Sequence, residues 1–207
     1  MATKDRILDS LLSCRGSYLS GEELAISLGV SRAAVWKGVQ ALREGGFPIV
    51  GQPNRGSCLE TGADILSVQG ILGLLEPGGP WRLELRDRVP STNALLREQA
   101  FGGALEGTVL LAASQSQGRG RMGRPFFSPA DTGVYLSLLL RPKTGEAAGR
   151  VTTMAALAAC QAVSALSGED ARIKWVNDVF LNGKKVSGIL TEAAFSLEDG
   201  TPDYVVL

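Results

Sequence analysis

Histidine is absent from the 207 residues of this chain. Ser-His-Asp triads, histidine general bases and histidine metal ligands are thereby excluded. Chemistry must come from carboxylates, Lys, Arg, backbone groups and a borrowed metal or nucleotide. Cysteine is scarce: Cys14, Cys58 and Cys160 are odd in number, scattered and without metal spacing, which suggests reduced thiols. No apolar run approaches ~18 residues, and the initial Met-Ala-Thr-Lys-Asp-Arg lacks the apolar centre of a signal peptide. A cytoplasmic protein with no membrane partner is the expectation. A net charge is missing as well, since Lys+Arg and Asp+Glu both number 21. No global field announces a nucleic-acid partner, so charge has to be read locally. What remains, 44% hydrophobic and 20% charged residues, is the composition of a folded protein long enough for two domains.

The most informative stretch is Ser114–Pro129, where Gly118, Gly120 and Gly123 alternate with Arg119, Arg121 and Arg124 and no carboxylate lies nearby. Glycine lets the backbone approach a ligand closely, and guanidinium groups fork onto phosphate or carboxylate oxygens. The segment reads as a loop that closes over an anion; in isolation, such a run is usually a solvated basic loop. Gly118–Gly123 also matches the dinucleotide fingerprint G-x-G-x-x-G, but Pro125 and Pro129 around Phe126-Phe127 cannot open the long helix that fingerprint needs.

Residues 1–62 read as a winged helix-turn-helix. Ile7, Leu8, Leu11 and Leu12 predict a helix over 3–14. Ser20 and Glu23 make a capping box for a second helix that carries Leu24, Ile26 and Leu28 and stops at Gly29. Ser31 caps a third, with Val35, Val39 and Leu42 on its apolar face. Two short strands around Gln52–Gly56 then form the wing. Arg32, Lys37, Arg43 and Arg55 against Glu44 give Ser31–Leu59 a local net charge of +3. Ser31, Arg32, Ala33, Trp36 and Lys37 would face a major groove, and Arg55 a phosphate. A small protein-interaction domain would share the same core. DNA binding by a dimer reading two half-sites is the expectation.

A connection over 63–80 holds one short helix, about Ser67–Leu75. Residues 81–207 read as an α/β domain. A strand around Leu83–Asp87 leads to Ser91-Thr92-Asn93, with Ser91 or Thr92 capping a helix to Phe101. Free hydroxyls and an amide there suit a polar head group, although a plain cap is the commoner fate of such a triplet. Gly107–Ala113 and Val134–Leu140 are strand-length apolar runs flanking the Gly/Arg loop, and the alanine-rich helix 147–167 is expected to pack on the sheet. Asn182-Gly183 predicts a hairpin. Lys174, between Ile173 and Trp175 on a strand taken to point into a core, is expected to be paired or anion-bound, unless its head snorkels to water.

Four motifs in this order, Ser31-Arg32-Ala33-Ala34-Val35, Gly118-Arg119-Gly120-Arg121-Met122-Gly123-Arg124, Lys174-Trp175-Val176-Asn177-Asp178 and Gly188-Ile189-Leu190-Thr191-Glu192, are similar to those of bifunctional biotin–protein ligases of the BirA type, which also act as biotin-responsive repressors. The resemblance covers nearly the whole chain. It implies an α/β (α+β) protein: a winged helix-turn-helix, then a class II synthetase-like mixed-sheet catalytic domain. Implied chemistry is condensation of biotin with ATP and Mg²⁺ to biotinyl-5′-adenylate, then transfer to a lysine of the biotin carboxyl carrier protein of acetyl-CoA carboxylase. Ser91, Thr92, Asn93 and Gln115 match biotin-holding positions. Arg119, Gly120 and Arg121 match the loop over biotin and adenylate, with Gly118, Gly123, Arg124 and Phe126 in the same loop. Lys174 matches the lysine that meets the biotin carboxylate and phosphate, so Lys174, Arg119 and Arg121 are the expected catalytic cations. No protein side chains are assigned to a metal. An adenylate-bound homodimer on operator DNA is the implied regulatory form.

Three positions depart from the pattern: Met122 replaces an arginine, Phe126 a tryptophan and Val176 a proline. The family pattern also continues into Gly-Ile-Gly-x-Asn and a small β domain, which do not follow Tyr204-Val205-Val206-Leu207 here. An incomplete catalytic domain is thus expected. The alternatives are a regulator that only senses biotin or its adenylate, and an inactive truncated ligase.

Overall fold

Ile7, Leu8 and Leu11 fall on one face of α1 (Thr3–Ser13) and are buried. Helix α2 (Gly21–Leu28) starts where the Ser20 hydroxyl accepts from the Glu23 amide at 3.0 Å and the Glu23 carboxylate from the Ser20 amide at 2.8 Å. It ends at Gly29, whose φ of 65° is left-handed. The Ser31 hydroxyl accepts from the Ala34 amide at 3.2 Å and opens α3 (Arg32–Glu44), which buries Val35, Val39 and Leu42. Gly38 completes that face, because a Cβ there would overlap Ile7 Cδ1. Ile26 of α2 is 76% exposed.

Strands β1 (Ile49–Gln52) and β2 (Gly56–Leu59) pair antiparallel, from Ile49↔Leu59 to Gln52↔Gly56. Gly56 is demanded twice: its φ is +102° and a Cβ would collide with the Leu19 carbonyl. Arg43 Nε donates to the Ile49 carbonyl at 2.9 Å, so one of the basic residues counted toward the DNA face fixes the wing to α3.

The computed structural model describes residues 2–63 and 66–207. Of the expected connection 63–80, residues 64 and 65 lie outside the described residues. The Ser67 hydroxyl caps a helix α4 (Val68–Leu72) shorter than the expected 67–75. The chain divides into two units, Met1–Gly79 and Pro80–Leu207.

In the second unit, β3 (Arg82–Val89), β4 (Thr108–Gln115), β5 (Tyr135–Leu140), β9 (Glu192–Phe195) and β10 (Pro202–Val206) form a mixed sheet in the order β3-β4-β5-β10-β9. Strands β3 and β4 are parallel, from Arg82↔Thr108 to Val89↔Gln115, and α5 (Thr92–Phe101) connects them; the other pairs are antiparallel. Val205 and Val206 of β10, between β5 and the edge strand β9, are fully buried. β6 (Arg172–Lys174), β7 (Asp178–Leu181) and β8 (Lys184–Gly188) make a separate antiparallel sheet, with Asn182 (φ 51°) and Gly183 (φ 75°) as its two-residue turn.

Helix α6 (Gly145–Ser167) corrects the expectation that it packs on the sheet along its length. Ala148 and Val151 pack with Val205, and Ala156 is buried, whereas Met154, Leu157 and Leu166 are exposed. Among the described residues no helix is long and apolar enough to cross a membrane.

Candidate functional site

The carboxyl ends of the parallel pair β3 and β4 define the site, the place where open α/β sheets put their ligands. Val89 leads to Ser91-Thr92-Asn93, and Gln115, paired with Val89, leads to the Gly/Arg loop. The Ser91 hydroxyl accepts from the Ala94 amide at 3.4 Å and caps α5, so Thr92 and Asn93 are its first helical residues.

All three are buried, and they are not the free groups expected from sequence. Gln115 Oε1 accepts from the Thr92 amide at 2.8 Å and from Thr92 Oγ1 at 3.2 Å, while Gln115 Nε2 donates to Ser128 Oγ at 3.1 Å. Asn93 Nδ2 donates to the Leu190 carbonyl at 2.9 Å and to Glu192 Oε2 at 3.1 Å. Glu192 also pairs with Arg97 at 2.6 Å. Ser137, fully buried on β5, lies within hydrogen-bond reach of Thr92 Oγ1 (2.9 Å) and Asn93 Oδ1. The reason for the correction is burial: a polar group removed from water must find a partner, and here each finds one within the chain. Among the described residues no buried side-chain nitrogen or oxygen lacks a partner. What results is a pre-organised polar wall.

The loop folds back on itself. Gly118 O accepts from the Phe126 amide at 2.8 Å, and Gly120 N donates to the Arg124 carbonyl at 2.7 Å. The Gln115 amide donates to the Ser128 carbonyl at 3.0 Å. Only a single 3-10 turn (Arg121–Gly123) forms, so the dinucleotide fingerprint is accidental, as the prolines indicate. The three glycines are not equivalent. A Cβ on Gly118 would overlap the Phe126 carbonyl and crowd Ser128 Oγ, whereas Gly123 needs its φ of 72° and Gly120 meets neither constraint. Met122 is 92% exposed and Phe126 39% exposed.

Lys174 corrects a second expectation. All of β6 is exposed, because it is the edge of a small sheet rather than a core strand, and Trp175 is 80% exposed. Burial therefore forces no pairing. Among the described residues no ion pair or hydrogen bond engages the side chains of Lys174, Arg119 or Arg124; Lys174 Nζ lies 5.6 Å from the centre of the Phe180 ring. Arg121 Nη1 donates to Asn177 Oδ1 at 3.1 Å, which ties the loop to the segment following Lys174. Among the described residues Lys174, Arg119 and Arg124 thus carry unpaired charges, and the Arg121–Asn177 bond joins the loop to the segment after Lys174, a set of cations suited to a ligand carrying phosphate or carboxylate.

Sequence reasoning assigned no role to Ser137, Asn177 or Arg141. Ser137 had a signal: it breaks the apolar run Leu136–Leu140 on the inward face shared with Tyr135 and Leu139. Arg141 had none. Its guanidinium donates to the carbonyls of Ala100 (3.0 Å), Ala104 (2.8 Å) and Asp203 (2.9 Å), tying the end of α5 to β10.

In the first unit Ser31, Arg32, Ala33, Trp36 and Lys37 are exposed on α3. A groove of about 360 Å³ between α3 and the hairpin is lined by Arg32, Trp36, Gln40 and Gln52. Arg55 stacks over Tyr18 at 4.6 Å and donates to Gln52 Oε1 at 3.1 Å, so its head is partly engaged within the wing.

A helix-turn-helix unit joined to an α/β unit with an anion-attracting loop defines the class. Residues 3–57 match a helix-turn-helix (HTH) domain family, and residues 85–205 match the biotin/lipoate A/B protein ligase family. The chain belongs to the biotin/lipoate A/B protein ligase family. It is similar to the bifunctional ligase/repressor BirA of Bacillus spizizenii, 37% identical over 194 residues, 92% of this chain and 60% of that protein. The corresponding Escherichia coli protein is 35% identical over 87% of this chain and 56% of its own length. The biotin–protein ligase of Leishmania major in complex with biotin superposes with a TM-score of 0.51 at 26% identity, covering 62% of this chain and 55% of that one. This chain spans about 60% of the length of the Bacillus relative.

Proposed function

We propose that this protein is a biotin–protein ligase and a biotin-responsive repressor. The observation that carries the reading is a likeness to proteins named ligase/repressor that runs through both units, over 92% of the chain. The biotin carboxylate attacks the α-phosphorus of ATP; the bond from Pα to the bridging oxygen of pyrophosphate breaks, leaving biotinyl-5′-adenylate. An acceptor lysine amine, on the biotin carboxyl carrier protein, then attacks the carbonyl, AMP leaves and the amide loses a proton.

In this reading Ser91, Thr92, Asn93 and Gln115 present the polar wall to biotin. Their internal bonds support the role by fixing the groups before the ligand arrives. Arg119 and Arg121, with Lys174, meet two anions that would otherwise repel and stabilise the charge that develops on phosphate. Gly118, Gly120, Gly123 and Arg124 shape the loop, and Phe126 offers a ring to the adenine. Excluding water protects the mixed anhydride from hydrolysis. Mg²⁺ arrives as part of the ATP complex; among the described residues no cluster of carboxylate or cysteine ligands forms a metal site. Ser31, Arg32, Ala33, Trp36 and Lys37 contact an operator and Arg55 its backbone, in a cytoplasmic, adenylate-bound homodimer.

Incubation with ATP, biotin and a carrier domain, followed by mass spectrometry, tests the reading. A gain of one biotinyl group on the carrier is expected, and Lys174→Ala lowers adenylate formation by roughly a hundredfold or more. Biotin binding without adenylate or modified carrier would overturn the ligase reading and leave a sensor. Unchanged synthesis by Lys174→Ala would remove that residue from the mechanism.

A further inference from the structure

We infer that Asn177 is the positioning residue of the arginine loop: its side-chain oxygen latches Arg121 without neutralising it. For its catalytic consequence the inference rests on the ligase reading; the latch itself does not.

The side-chain nitrogen and the backbone carbonyl of Asn177 are both committed. Nδ2 donates to the Ile189 carbonyl at 3.1 Å and to Asp178 Oδ1 at 3.1 Å, and the backbone carbonyl accepts from the Ile189 amide at 2.9 Å. Asp178 is itself held by Lys185 Nζ at 2.7 Å. This leaves Oδ1 fixed in direction, and it accepts from Arg121 Nη1 at 3.1 Å. The bond spans 56 positions of sequence and is the one side-chain hydrogen bond made by the loop arginines among the described residues.

The chemistry of the partner matters. A carboxylate at this position would hold a guanidinium more firmly, but as an ion pair that cancels the charge a phosphate needs. A neutral carboxamide accepts the same hydrogen bond and leaves Arg121 cationic. Asp178, one residue on, carries the negative charge in this turn and is turned to Lys185 instead. The arrangement thus keeps Arg121 in place and available, within the turn that follows Lys174.

Trypsin supplies a direct probe, because Arg119 and Arg121 are its cleavage sites on the loop, while Arg124 precedes Pro125. Asn177→Ala in the full chain is expected to raise cleavage after Arg119 and Arg121 by roughly three- to tenfold, the net weight of one ordinary exposed hydrogen bond. Arg121→Met breaks the same bond without touching β7, so it must raise cleavage after Arg119 equally, and the double variant must add nothing. This second variant decides the matter should Asn177→Ala unfold the domain.

Asn177→Asp separates latching from mere structure. It keeps an acceptor for Arg121 but gives up both Nδ2 bonds, so cleavage stays below that of Asn177→Ala, while its charge pairs with Arg121 and raises the KM for ATP in biotin-dependent pyrophosphate release several-fold. Cleavage rates within twofold of the parent for both Asn177→Ala and Arg121→Met would overturn the latch. Parent-like KM in Asn177→Asp would overturn its electrostatic part. Absence of adenylate from the parent protein would instead refute the ligase reading, with the cleavage arm still deciding the latch.

Discussion

Around α1, α2 and α3, ten buried apolar side chains from Ile7 to Leu59 form one cluster, whereas the clustered buried apolar residues of Pro80–Leu207 fall into two smaller groups around Leu96 and Val151. Polar burial runs the other way. Ser91, Thr92, Asn93, Ser128 and Ser137 are buried in the second unit, against Ser67 in the first. The first unit is therefore held chiefly by non-directional burial; the second gives up apolar contact where a set of oriented hydrogen bonds shapes a site. Stability built from burial tolerates small shifts of position. A site built from hydrogen bonds does not.

The contrast breaks most visibly in the winged unit if its centre is emptied. Leu11 is fully buried, and Leu11→Ala is expected to cost about 2–5 kcal/mol, the lost transfer energy plus a cavity. Hydrogen exchange read peptide by peptide is the measurement. Protection should fall throughout residues 3–59 and stay unchanged over β3, β4 and β5. An equal loss in both units would mean that the division into two cores is wrong.

Removing one oxygen from the second unit sharpens the same comparison. Ser137→Ala leaves Asn93 Oδ1 and Thr92 Oγ1 without the hydroxyl they share, a loss of roughly 1–3 kcal/mol. Little apolar volume changes, so the packing around Leu139 should survive. Biotin affinity measured by calorimetry is expected to fall more steeply, relative to the parent, than thermal stability does. Stability lost with biotin affinity intact would show that the network serves the fold and not the site.

The same division decides what was readable in the sequence. Ser20 with Glu23, Gly29, Ser31 and Asn182-Gly183 act on neighbours within a few residues, so their roles follow from local rules and the structure reproduces them. Ser91 as a helix cap belongs with them. Lys174 was misplaced because alternation along three residues cannot distinguish a core strand from the edge of a small sheet. Ser91-Thr92-Asn93 was read as free because its partners Gln115, Ser137 and Glu192 lie 23 to 99 positions away. Arg141 ties together two elements 41 and 62 positions distant, a contact that only the finished topology creates. The Gly/Arg loop was legible as an anion segment, but the latch from Arg121 to Asn177 was not.

The smallest expected effect is also confined to the first unit, and its sign follows from two carboxylates that pull in opposite directions. The Glu23 carboxyl is held below its ordinary 4.5 by the Ser20 backbone amide and then by the Ser20 hydroxyl. Its charged form is favoured by folding, so the stability it contributes is present above the unfolded value and is lost as pH falls through the lower folded one. Asp9 is raised above 3.8, first by burial and then by the charge of Asp5. Its ionised form opposes folding, so acid relieves Asp9 while it weakens the start of α2. Hydrogen exchange of residues 3–59 as a function of pH, in Glu23→Gln and Asp9→Asn variants, separates the two. Glu23→Gln should lower stability at neutral pH and flatten its decline below pH 4.5, while Asp9→Asn should raise neutral-pH stability and steepen that decline. Ser20→Ala removes the cap itself and should cost about 1 kcal/mol at neutral pH. If Glu23→Gln leaves the acid profile of the first unit unchanged, the capping box contributes geometry to the winged unit and no charge.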